Sequence, residues 1–124
     1  MSRSASVRVR NLTRGVDVAG QVEVARGPIA RGLGLMGRRG WAGSDGLLLE
    51  HCNSIHTFFM RMPIDVAFVD GDGTVLRVAP SVRPWRVGPI AWRAKLAIEL
   101  PAGALAASET RAGDRLSVEE TGGR

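Results

Sequence analysis

Apolar residues along this chain come in short runs broken by glycine, proline and aspartate, a pattern of strands rather than long helices. SVRVRN alternates over residues 6–11. VDVAGQVEVA, residues 16–25, predicts a strand, a turn at Ala19-Gly20 and a second strand. Pro28 suits the first turn of a short helix over 28–37, where its missing N–H would be unpaired anyway. Gly32 and Gly34 would each cost that helix about 1 kcal/mol relative to alanine. DGLLLEHC, IHTFFM and PIDVAFVD give three further strands. Asp70-Gly71-Asp72-Gly73 is a turn between PIDVAFVD and TVLRVA, which predicts a hairpin. KLAIEL (95–100) and DRLSVEE (114–120) complete the strands, with AGALAAS between them as a turn or brief helix.

The fold class expected is therefore mostly β (α+β): a compact, barrel-like mixed or antiparallel sheet of about eight short strands with one or two short helices. Residues 1–120 are expected to form a single domain and 121–124 a disordered tail. At 124 residues, 44% hydrophobic and 23% charged, the chain has the composition of an ordinary globular protein. It contains no run of 18 or more apolar residues, so no membrane span is expected. The amino-terminal MSRSASVRVRNLTRG lacks an apolar core segment, so no signal peptide is read there and the cytoplasm is the expected location. A single cysteine cannot form an internal disulfide and agrees with a reducing compartment.

The net charge of +5 raises the question of nucleic acid. Residues 1–40 hold eight arginines, and 77–95 hold four arginines and Lys95 with no acid. Neither block resembles a basic helix, a zinc finger or an RNA-binding strand motif, so nucleic acid is not the expected partner. Gly32-Leu33-Gly34-Leu35-Met36-Gly37 matches a dinucleotide-binding spacing letter by letter. It neither follows a strand directly nor opens a long helix, as pyrophosphate binding requires. Asp70 to Gly73 imitates a calcium loop, yet Val75 and Ser81 stand where glycine and glutamate are needed. No cofactor is expected.

Residues 51–70, HCNSIHTFFMRMPIDVAFVD, carry the only cysteine, both histidines, two of the four methionines and two aspartates. If IHTFFM is extended, Cys52 and His56 lie about 13 Å apart, whereas donors on one zinc must come within about 4 Å of each other. Cys52, His56 and Met60 become metal ligands only if Asn53-Ser54 folds back. Alternation would put His56, Phe58, Met60 and Met62 on one face and Thr57, Phe59 and Arg61 on the other. PIDVAFVD, apolar on both faces, reads as a central strand. A buried Asp65 then needs a partner, and Arg61 or a neighbouring arginine is the expected one. PSVRPWRVGPIAWRAK, residues 80–95, is the longest stretch without a clear element. Trp85 and Trp92 there either cover one end of the barrel or form a Trp/Arg platform for a sugar, an acidic ligand or a partner chain.

Four blocks in order, ARGLGLMGR, GLLLEHC, IHTFFMRMPIDVAFVDGDGTVLRVAP and AIELPAGALAASETRAGDRL, resemble the small bacterial and archaeal family known as domain of unknown function 192. The resemblance runs over about residues 22–118. Arg31, Gly32, Leu35 and Met36 stand for its first block; Phe59 stands where the family has tryptophan, Met60 matches its methionine and Arg61 replaces lysine. Asp65, Glu99 and Gly113-Asp114 match the family's aspartate, glutamate and Gly-Asp pair, while its Asn-Thr step is missing here. Cys52 and His56 resemble a branch with C-x-x-I-H-T. The resemblance implies a compact, mostly β fold with one short helix and no accepted reaction.

Two functions follow. The first is a non-catalytic binding or assembly-accessory module for a small ligand or protein partner. It would use a cleft around His56, Thr57, Arg61, Asp65 and Glu99, with Trp85 and Trp92 on its rim. The second is an enzyme using Cys52 or a metal-bound water, with His56 as general base and Asp65 orienting it.

Overall fold

The computed structural model describes residues 6–25, 41 and 44–121. They form nine strands, β1 (Ser6–Asn11), β2 (Val16–Ala25), β3 (Gly46–Glu50), β4 (Ser54–His56), β5 (Ile64–Val69), β6 (Val75–Val82), β7 (Val87–Ile90), β8 (Leu96–Pro101) and β9 (Leu116–Glu120), and one helix, α1 (Ala104–Ser108). Seven strands make a mixed sheet in the order β6-β5-β8-β3-β2-β1-β9, and β4 and β7 pair separately as a two-stranded ribbon. Only β2 and β3 run parallel in it; the other neighbours are antiparallel. The sheet is curled, and its edges meet at one end, where Thr74 bridges Arg115 and the Leu116 N–H donates to the Gly73 carbonyl at 2.7 Å. Gly73 is required at this seam: its φ is +89°, and a Cβ there would lie 2.6 Å from the Leu116 oxygen.

Both faces of the sheet are covered, which explains the apolar character of its middle strands. On β5, Ala67 and Val69 join an inner core with Val9, Val22, Leu48, Ile98, Leu100 and Leu105 of α1. Ile64, Val66 and Phe68 point the other way, into a second core with Leu47, Leu49, Ile55, Met60 and Ala97. Every residue of β5 is buried, as its sequence predicts. Each large apolar side chain enclosed here contributes about 1.5–3 kcal/mol of transfer free energy. The β5–β6 hairpin also forms as read, and Asp70 Oδ1 accepts from the Asp72 and Thr74 N–H groups at 2.9 and 3.0 Å to close its turn.

Three expectations are corrected. Ala19-Gly20 is not a turn: β2 runs unbroken through it, and the irregularity is absorbed by register shifts against β1. IHTFFM is not a strand beyond His56; the chain bends at Thr57, so Thr57 and Met60 are buried while Phe59 is exposed, and the predicted alternation of faces is lost. The stretch after Pro80 is not without an element: β6 extends to Val82, and β7 follows as the partner of β4. The expected helix over 28–37, the GxGxxG spacing and most of the tail lie outside the described residues.

Candidate functional site

Thr57 holds the bend together. It is fully buried and every polar atom it carries is bonded. Its hydroxyl donates to the Arg83 carbonyl at 2.6 Å and accepts from the Arg86 N–H at 2.8 Å. Its amide donates to the Arg86 carbonyl at 2.9 Å, and its carbonyl accepts from the Trp85 and Met60 N–H groups at 2.8 and 3.2 Å. One residue therefore ties the loop before β7 to the turn after β4.

The consequence is a patch of rings. Phe59 and Trp85 both have φ of +63°, a left-handed conformation costly for bulky side chains. Both are more than half exposed, and their ring centroids are 4.7 Å apart. Phe58 lies 6.1 Å from Trp85 and 5.3 Å from the exposed imidazole of His56. These are tilted contacts within the range aromatic pairs prefer. The segments bearing them, 56–62 and 83–86, include Arg61, Arg83 and Arg86, each exposed, and no acid.

The remaining candidates are distributed elsewhere. The half-buried Cys52 thiol donates to the Ser54 carbonyl at 3.0 Å. His56 Nδ1 accepts the Phe58 N–H at 3.2 Å, so this nitrogen faces a donor rather than a carboxylate. Met60 is packed into the second core. Asp65 lies on the inner face of β5. Its Oδ1 accepts from the Ser81 N–H at 2.9 Å, and its Oδ2 accepts from the Gly103 and Leu105 N–H groups at 3.1 and 2.9 Å. An arginine partner was expected; three backbone donors take that role, and among the described residues Asp65 is in no ion pair. Glu99 is buried on β8 between Ile98 and Leu100, which both join the inner core, so alternation turns it to the opposite face from Asp65. The sheet itself separates these two carboxylates. Trp92 is 80% exposed, at the far end of β7 from Trp85. Among the described residues no group of three or more His, Cys, Asp or Glu side chains is placed to hold a metal ion.

The family model for domain of unknown function 192, described as an uncharacterised ACR, matches residues 9–118. The chain belongs to this family. A UPF0127 protein of Pyrococcus abyssi is 34% identical to it over 109 residues, 86% of this chain and 92% of the relative. A crystal structure from Sinorhizobium meliloti, described as a candidate transcription regulator, superposes with a TM-score of 0.77 at 27% identity, over 95% of this chain and 98% of that one. A protein of unknown function from Novosphingobium aromaticivorans shares the fold, with a TM-score of 0.72 at 21% identity over 90% and 83% of the two chains. Family membership accords with the mostly β fold and its single described helix.

Two groupings escape the sequence reading, although Phe59 and Asp114 are each singled out there by the family resemblance. Phe58 and Phe59 were assigned to strand faces, although two adjacent phenylalanines on a strand would point to opposite sides and a bend lets both reach one patch. Asn11, Ser108, Thr110 and Asp114 form a buried polar knot. Asn11 Nδ2 donates to Thr110 Oγ1 and to Asp114 Oδ2, and Arg14 makes a two-pronged contact with Asp114 at 3.0 and 3.2 Å. The Asn11 hydrogen bond, with Arg14 beside it, holds the Asp114 carboxyl below its ordinary value. Asn11 stands 99 and 103 residues from Thr110 and Asp114, so no motif joins it to them. No described helix is long and apolar enough to cross a membrane.

Proposed function

We propose that this chain is a binding module whose contact surface is the ring patch of His56, Phe58, Phe59 and Trp85, flanked by Arg61, Arg83 and Arg86. The observation that carries this reading is the pairing of two exposed aromatic residues in costly left-handed backbone, 4.7 Å apart, with the Thr57 carbonyl accepting from the Trp85 N–H and from the Met60 N–H next to Phe59. Strain of about 1–3 kcal/mol per residue persists where surrounding structure enforces it, and it concentrates at binding surfaces. Exposed rings beside guanidinium groups suit a ligand with a flat or apolar face and a negative charge. A non-catalytic role agrees with the bonding of His56 and Asp65, whose hydrogen bonds among the described residues run to main-chain groups.

The test uses 8-anilinonaphthalene-1-sulfonate, which combines a planar face with one negative charge. Native protein should enhance its emission saturably, and Trp85→Ala should abolish the enhancement while far-UV circular dichroism stays unchanged. Equal binding by the variant, or none by the native protein, defeats the reading. The Sinorhizobium protein's description as a transcription regulator makes an oligonucleotide the natural competitor in this titration.

A further inference from the structure

Apolar exposure does not stop at the ring patch. Of eight large hydrophobic side chains that stand exposed among the described residues, five lie on the β4–β7 ribbon or its flanks: Phe59, Trp85, Val87, Ile90 and Trp92. Val87 and Trp92 are 77% and 80% exposed. The ribbon pairs Ser54 with Ile90 and His56 with Val87, so Trp85 and Trp92 flank its two ends. The six residues between the two tryptophans, 86–91, include the whole of β7. At the Trp92 end a shallow, open depression of about 380 Å³ lies between Leu76, Arg77, Ile90, Ala91, Trp92 and Arg93. It is braced by Arg77 Nη1 donating to the Ile90 carbonyl at 2.9 Å.

Charge chooses the partner. Residues 51–64 and 73–98, which supply the ribbon, its flanks and the depression, contain Arg61, Arg77, Arg83, Arg86, Arg93 and Lys95 and not one acid. A second copy of the chain meeting this surface about a two-fold axis would set like charges opposite each other. The middle of the stripe, Val87 and Ile90, is aliphatic and offers no face on which bases stack, which favours apolar side chains over nucleobases. Pro89 has no N–H to offer, so side chains rather than added strand pairing carry recognition.

Resting on the binding reading above, we propose that the ribbon binds an extended acidic polypeptide segment with spaced apolar side chains, anchored at the Trp85 patch and again in the Trp92 depression. The probe is a fluorescein-labelled twelve-residue peptide of repeating Asp-Phe-Glu-Leu units, followed by fluorescence anisotropy. Native protein should bind it saturably. Trp92→Ala and Arg93→Glu should each weaken binding by about tenfold or more, and a peptide with lysine in place of the acids should not bind. Trp92 is too exposed for its loss to disturb the fold, which circular dichroism checks. If Trp85→Ala abolishes peptide binding while Trp92→Ala leaves it intact, this inference fails and the ring-patch reading survives. Tighter binding of an oligothymidylate than of the peptide, a dimer in gel filtration that Trp92→Ala dissolves, or no binding of the peptide would each overturn it.

Discussion

Replacing Asp65 with alanine should destabilise the chain by about 3–5 kcal/mol, and the reason lies in three main-chain N–H groups. The carboxylate receives hydrogen bonds from Ser81, Gly103 and Leu105, which join the end of β6 and the start of α1 to the start of β5. Hydrogen bonds to a charged group contribute about 1.5–3 kcal/mol each, and a buried donor left unpaired costs about 1–3 kcal/mol. Ser81 and Gly103 are exposed, so water can replace the carboxylate there, whereas the Leu105 N–H is enclosed. One orphaned donor and two weakened contacts give the figure above, a large part of the roughly 5–15 kcal/mol that holds a domain of this size. In urea, with an m-value of about 1.5 kcal/mol per molar, the midpoint should fall by roughly 2–3 M. Asp65→Asn should cost less, since its single carbonyl can still serve Gly103 and Leu105. An Asp65→Ala midpoint within about 0.5 M of the parent would refute the assignment of Asp65 as the peg between strand and helix.

Other outcomes follow from the same contacts. Thr57→Val, nearly isosteric, should cost about 1–3 kcal/mol in thermal unfolding and weaken anilinonaphthalene sulfonate binding, because the Arg86 N–H loses its acceptor; unchanged binding would detach the ring patch from its support. Asp114 has a lowered pKa when folded, so its contribution is complete above the unfolded value of about 3.9 and is lost as pH falls through the folded one. Urea midpoints should therefore drop on acidification below about pH 4, and Asp114→Asn should flatten that limb while lowering the midpoint at pH 7. Cys52, with its thiol proton donated to the Ser54 carbonyl, should react with iodoacetamide at neutral pH no faster than a free cysteine; rapid labelling would revive a nucleophilic role.

Much of the scaffold was readable because local signals and burial agreed. Asp70-Gly71-Asp72-Gly73 announced its hairpin through turn chemistry, and PIDVAFVD announced a strand covered on both sides. The ribbon was not readable: β7 is short, contains Gly88 and Pro89, and is a strand only because β4 lies beside it. Asp65 was recognised as buried and in need of partners, but main-chain donors leave no mark in a sequence, so an arginine was expected in their place. The expected cleft failed to gather Asp65 and Glu99 because alternation along two adjacent strands sends them through opposite faces of the sheet. Thr57, His56, Arg61 and Trp85 come from segments joined by the bend, which a reading of IHTFFM as extended chain could not anticipate.

The indole N–H signals of Trp41, Trp85 and Trp92 in a nitrogen–proton correlation spectrum give the most direct test of a ligand-receiving ring patch. On titration with the acidic, apolar peptide, the Trp85 signal should shift progressively while that of Trp41, packed against the second core, stays in place. A Trp85 signal that never moves, or one that moves only together with Trp41 and the core amides, would contradict the account.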